Sequence, residues 1–282
     1  MRKRVKIALA VVFVAVGGVI GYQMLCPQNR EPVYQGRELR LWLRDYAGWD
    51  SSPKAWAEAK SRAEHAVRQI GTNAIPHLLE MVSETESPRM RSVTDYWDGH
   101  VESLKILPAS IRHPSWYKRL TRYANMEGEI GFKILGADAH DAVPELMILY
   151  ERTFSMDSLS VMNSQVAISR SLVSIGPASV PPLLKWAAST NEARRLSAVH
   201  ALSQIHAQPA EVVPVLVNSL SHTNFEVRAQ VVEGLGRFGE ESQQAVPALV
   251  LSLYDSNSVV RRAATNALRR IDAEAAAKAG IK

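Results

Sequence analysis

From residue 37 to the C-terminus, apolar and small residues recur with the spacing of one helical face. The clearest copies are residues 225–238, FEVRAQVVEGLGRF, and 259–271, VVRRAATNALRRI, whose closing apolar residues Phe238 and Ile271 lie 33 positions apart. Written as V-R-x-x-A-x-x-A-L-x-x-I, the pattern extends backward through the chain. Its closing slot holds Ile271, Phe238, Ile205, Ile175, Leu135 and Ile70, and its Leu slot holds Leu268, Leu235, Leu202, Leu172, Phe132 and Val67. The small slots hold Ala264 and Ala267, Val231 and Gly234, Ala198 and Ala201, Ile168 and Ser171, Gly128 and Gly131, and Ala63 and Ala66. Positions spaced i, i+3, i+4 and i+7 form one stripe on a helix. Small residues at two of the four let a neighbouring helix approach closely.

A second element alternates with the first. Ala74-Ile-Pro76, Ala142-Val-Pro144, Val180-Pro-Pro182, Val212-Val-Pro214 and Ala245-Val-Pro247 each open a leucine-rich run. Proline is suited to a first helical turn, where its missing N–H had no intrahelical partner, so these segments are expected to start helices. Gly71, Gly136, Gly176 and Gly239 follow closing slots, where helices commonly end in a left-handed residue. Each unit is therefore a helix hairpin. A repeat period in this range predicts an all-α solenoid of about six to seven antiparallel hairpins, in which units contact their neighbours and build a long surface.

The C-terminal units resemble the HEAT-repeat family, in the short bacterial form also seen in phycobilisome-lyase-like repeats. The resemblance rests on Pro247, Leu249, Leu253, Asp255, Val260, Arg261, Ala264, Ala267, Leu268 and Ile271, and on Pro214, Leu216, Leu220, Asn224, Val227 and Arg228 one unit earlier. It is strongest from about 142 to 271 and stays in register from 37 to 136. In that family the Asp and Arg positions are usually structural, tying turns and adjacent units together. Here the Arg slot reads Arg261, Arg228, Arg195, then Gln165, Asn125 and Lys60, so a continuous ladder is expected only at the C-terminal end.

Regularity fails between Ile70 and Leu135, where residues 84–124 form a degenerate or expanded unit containing Trp97, His100 and Trp116. Such an insertion could supply aromatic anchors for a partner. Equally, its aromatics could fill a gap between two irregular hairpins.

The N-terminus carries a different pattern. Arg2, Lys3, Arg4 and Lys6 form a basic cytoplasmic segment over residues 1–6, followed by an apolar run over residues 7–25. Its 19 residues reach about 28 Å as a helix, enough for the ~30 Å hydrocarbon core. Charge asymmetry places the N-terminus in the cytoplasm and the solenoid outside, on the periplasmic side of the cell membrane, with a signal anchor favoured over a cleaved signal peptide. A lipid on Cys26 is disfavoured because bulky Leu25 precedes it. Residues 26–36 read as a polar linker, and 37–282 as the solenoid. Within it, Arg37–Tyr46 is expected to be an amphipathic helix that caps the open end through Leu39, Trp42, Leu43 and Tyr46.

Charge changes the picture once this segment is set aside. Residues 1–30 hold five of the 33 basic side chains and none of the 28 acidic ones, so the remainder carries 28 of each. A neutral domain argues against nucleic acid as a partner. A cluster at Arg261, Arg262, Arg269 and Arg270 remains, which a solvated helix face also explains. One cysteine excludes an intramolecular disulfide.

Candidate chemistry is sparse. No phosphate loop, dinucleotide fingerprint, nucleophile elbow or H-E-x-x-H is present. Glu64-His65 and Asp138-Ala-His-Asp141 come closest to metal ligands, and the second is better suited to capping a helix start. No cofactor or metal is expected.

These features point to a monomeric, membrane-anchored extracytoplasmic scaffold that binds a protein partner through the curved face lined by the V-R-x-x-A helices. The candidate contacts are Arg195, Gln204, Arg228, Glu233, Arg237, Asn266 and Arg269, with Trp97 and Trp116 in the irregular unit. The alternative is an exported lyase or other small-molecule-handling protein that uses residues 84–124.

Overall fold

The computed structural model describes residues 31–48, 53–83, 124–155 and 159–281. The segment 7–25, the residues Trp97, His100 and Trp116, and nearly all of the irregular unit lie outside these residues. Among the described residues no helix is long and apolar enough to cross a membrane.

Two short strands, β1 (Val33–Tyr34) and β2 (Arg37–Glu38), open the described chain as an antiparallel pair in the register Val33↔Glu38 and Tyr34↔Arg37. Gln35 and Gly36 both have positive φ, as a two-residue hairpin turn requires. The hairpin takes Arg37 and Glu38, so the capping helix begins at Leu39 and not at Arg37. Helix α1 (Leu39–Ala47) buries Leu39, Trp42 and Leu43.

The remaining helices are α2 (Pro53–Ile70), α3 (Ile75–Ser83), α4 (Ala124–Leu135), α5 (Val143–Thr153), α6 (Leu159–Ile175), α7 (Val180–Ala187), α8 (Glu192–Leu202), α9 (Pro209–Asn218), α10 (Phe225–Phe238), α11 (Val246–Ser252), α12 (Ser258–Ile271) and α13 (Ala273–Lys278). The even-numbered helices α2 to α12 carry the repeat pattern and form one layer, each against the next. Behind them α5 packs on α6, α7 on α8, α9 on α10 and α11 on α12, giving stacked hairpins. All four stripe positions in all six repeat units are buried, with Ile205 falling just after the end of α8. Close approach is literal at Gly131, where a Cβ would fall 2.2 Å from a Leu78 methyl carbon.

Helix boundaries follow local chemistry with two exceptions. Gly71, Gly136, Gly176 and Gly239 all have positive φ, directly after the closing slot. Where His206 stands in place of glycine, the reversal moves to Gln208, at φ 50. The first exception is Pro214, which was expected to start a helix. Helix α9 instead begins a turn earlier at Pro209 and holds Pro214 in its interior. The second is α5, which has no side-chain cap from Asp138 or Asp141. Asp141 instead lies 3.3 Å from exposed His140.

Across the interval between Ile70 and Leu135 the described helices α3 and α4 pack together. Helix α4 packs on both α3 and α2, so α3 and α4 stand as paired arms of one unit. Asn125 occupies the Arg slot of this unit, and its buried amide donates to the carbonyls of Met81 and Val82 at 3.1 and 2.9 Å. It thus binds the last turn of the preceding helix α3, whereas Arg228 and Arg261 in later units bond carbonyls of the inter-helix turn itself. The N-terminal cap is fastened to the same helix, because Glu127 of α4 accepts a 2.9 Å hydrogen bond from Arg44 of α1 and lies 3.7 Å from Arg40.

Candidate functional site

Three consecutive inter-helix turns are built alike. Ser189-Thr-Asn191, His222-Thr-Asn224 and Asp255-Ser-Asn257 stand 33 residues apart. In each, the first side chain accepts the N–H of the asparagine: Ser189 Oγ at 3.1 Å, His222 Nδ1 at 3.0 Å and Asp255 Oδ1 at 2.8 Å. Each asparagine then caps the next helix, accepting from Arg194, Glu226 or Val259. The Arg slot, four residues further on, reaches back over the turn. Arg195 donates to Ser189 O at 3.3 Å, Arg228 to His222 O at 2.7 Å, and Arg261 to Asp255 O at 2.7 Å.

Arg228 does more than close its own turn. Its Nε and Nη2 donate to the two carboxylate oxygens of Asp255 in the next unit at 2.7 and 2.8 Å. Both side chains are largely buried, at 13 and 12% exposure. This bidentate pair holds the Asp255 carboxyl below its ordinary value. Arg228 is therefore an internal strut between adjacent units.

The layer of repeat helices presents a groove of about 340 Å³ between α10 and α12. It brings together three of the candidate contacts, Glu233, Arg237 and Asn266, with Arg262 and Arg270 beside them. Gly236 and Ala267 line it as well, and a Cβ on Gly236 would lie 3.0 Å from Ala267, so this pair lets the two helices meet. Arg269 is exposed but does not line the groove. Arg262 and Arg270 take its expected place because their spacing from Asn266 keeps them on the α12 edge that faces α10. Gln204 sits just after α8 and is bonded to His200 Nε2 at 2.8 Å. His200 Nδ1 in turn meets the Gln230 amide of α10.

A larger pocket of about 580 Å³ opens at the turn edge between α7, α8 and the α9–α10 connection. Arg195 lines it with Glu192, Asn218 and His222, over apolar walls that include Val199 and Val215. The sequence reading did not single out His222, although its offset of 33 residues from Asp255 marks the position.

Residues 213–279 match the family model for HEAT repeats. The matched HEAT segment runs from α9 through α13 and so contains the Arg228–Asp255 strut and the α10–α12 groove. No curated protein matches the chain. Two crystal structures of engineered proteins are similar to it. One is 18% identical, covering 83% of this chain and 96% of the other, with a TM-score of 0.34. The second is 19% identical, covering 86% and 71%, with a TM-score of 0.36.

Among the described residues no group of three or more His, Cys, Asp or Glu side chains is placed to hold a metal ion. His65 is engaged with Tyr34, whose hydroxyl lies 3.4 Å from its Nε2 and whose ring meets it edge-on.

Proposed function

We propose that this chain is a protein-interaction scaffold, anchored in a membrane by residues 7–25 with its helix stack on the extracytoplasmic side, and that it seats an acidic segment of its partner in the α10–α12 groove. The observation that carries this reading is the convergence of Arg237, Arg262 and Arg270 on one groove with only Glu233 opposing them among its lining side chains. Arginines that border a shallow cleft with small residues offer planar, multi-donor contacts to carboxylates. HEAT repeats over the same residues support a binding role, since stacked hairpins build extended surfaces.

The test uses the full chain, solubilised in detergent and immobilised, with membrane and periplasmic fractions passed over it. A saturable partner is expected, and it should be lost when Arg237, Arg262 and Arg270 are replaced together by Glu. Undiminished retention by that variant would remove the groove as the binding site. Protease added to intact spheroplasts addresses the orientation: it should digest the helix stack, and protection of the stack until the membrane is opened would reverse the proposed topology.

A further inference from the structure

The stack contains one rung in which the strut is incomplete. Arg228 finds the Asp255 carboxylate 27 positions later, but 27 positions after Arg195 stands His222. Arg195 bonds Ser189 O as Arg228 bonds His222 O, yet among the described residues it has no carboxylate partner. The carboxylate near it, on Glu192, is 67% exposed and lies 3.8 Å from His222 Nε2. Where the later rung is filled by Asp255, this one borders the 580 Å³ pocket.

His222 also contributes to the pocket. Its Nδ1 accepts the Asn224 N–H, so in the neutral ring the proton sits on Nε2, the nitrogen near Glu192. The pocket thus has the Arg195 guanidinium as its donor, with the imidazole N–H turned toward the largely exposed Glu192 carboxylate at the rim and apolar walls at Leu196, Val199, Val215 and Val227. A carboxylate bound beside Arg195 would be partly shielded from water, where an ion pair is worth more than on the open surface. The methylene of an aspartate or glutamate would meet the apolar wall.

We propose that this pocket receives an aspartate or glutamate side chain of a partner protein, paired with Arg195 in the place that Asp255 takes beside Arg228. The inference rests on the scaffold reading, and it assigns a second point of recognition away from the α10–α12 groove.

The probe is a fluorescent capped pentapeptide, Ala-Leu-Asp-Leu-Ala, titrated against the full chain in detergent, with the Asn-centred peptide as control. The Asn peptide is expected to bind at least about tenfold more weakly, because it cannot form a charge-assisted bidentate pair. His222→Asp should close the rung from within, raise the thermal midpoint and abolish binding of the aspartyl peptide. Arg195→Gln should abolish binding without that gain. A rise in thermal midpoint separates a filled pocket from a damaged fold. The inference is overturned if the aspartyl peptide does not bind, if the two peptides bind alike, or if His222→Asp binds as the parent does. Tighter binding of a phosphoserine peptide overturns it as well, in favour of a phosphate ligand. The variant with Glu at 237, 262 and 270 should keep the peptide affinity, so failure of the groove and failure of this pocket are read separately.

Discussion

Arg228 and Asp255 show how much one pair of side chains can do in a repeat. The arginine gathers two carbonyls of its own turn, His222 and Thr223, and both carboxylate oxygens of the next. Asp255→Asn keeps the size of the side chain but breaks the ion pair, and should cost about 2 kcal/mol at neutral pH, measured by urea unfolding. The pH dependence has a definite sign. Because the folded carboxyl lies below its ordinary 3.8, the pair contributes fully above that value and the contribution is lost as pH falls through the depressed one. The gap between parent and Asp255→Asn should therefore be constant near neutrality and shrink in strong acid. A gap that grows in acid would contradict the assignment. This strut was legible from the family resemblance, but its consequence for Arg228 was not. An arginine in a V-R-x-x-A helix reads as a surface cation until the distance to residue 255 is known, and sequence spacing alone cannot say which side chains fold back onto a turn.

Among the elements, the repeat helices were the most readable, because a stripe of four positions repeated in register leaves one way to bury it. Proline was the less dependable signal. Pro76, Pro144, Pro181 and Pro247 fall at helix starts, whereas Pro214 competes with Pro209 and α9 starts at the earlier one. Packing at α3 and α4 makes a sharp prediction. Gly131→Ala drives a methyl group into Leu78 and should destabilise the protein by about 1–3 kcal/mol through overpacking. Gly71→Ala meets no neighbouring atom but must hold φ near +61, and should cost about 1 kcal/mol through backbone strain. A Leu78→Ala background should rescue the first variant and leave the second unchanged, as read by thermal midpoints. The cap helix α1 offers a pH signature of opposite sign to that of Asp255. Burial lifts the Glu127 carboxyl above its ordinary 4.5, against the Arg44 hydrogen bond and the charge of Arg40. An acid raised by folding penalises the folded state above its folded value and relieves it as pH falls. This contribution to global stability should grow as pH is lowered through that value, read by urea unfolding against Glu127→Gln, which should remove the effect.

At the scale of the whole molecule, stability in a stack is divided among units and the contacts between neighbours. Arg44→Ala should therefore loosen α1 while leaving protection of α12 unchanged, since each described helix packs chiefly on its neighbours in the stack. Equal loss of protection at both ends would show a single cooperative unit instead. Binding in the α10–α12 groove should weaken as salt is raised from about 0.05 to 0.5 M, because its cationic lining is exposed to screening. The overall architecture was readable because each unit repeats the same burial problem. The groove was readable only in part: Glu233, Arg237 and Asn266 were recognised as polar positions on repeat helices, but which of the four arginines of α12 joins them depends on how α12 rolls against α10. At that interface Gly236 meets Ala267, and of the two only Ala267 belongs to the repeating stripe.

The three turns at 189, 222 and 255 amount to a site that can be moved by editing single letters. They share a backbone bonding scheme and an Arg slot, and differ chiefly in whether the first residue is serine, histidine or aspartate. If histidine at 222 is what leaves Arg195 open, then Asp255→His should vacate the next position and create a second receptor beside Arg228, one repeat along. A chain carrying His222→Asp and Asp255→His together would have the pocket relocated by 33 residues. The spacing between recognition points would then change without altering any residue that touches the groove.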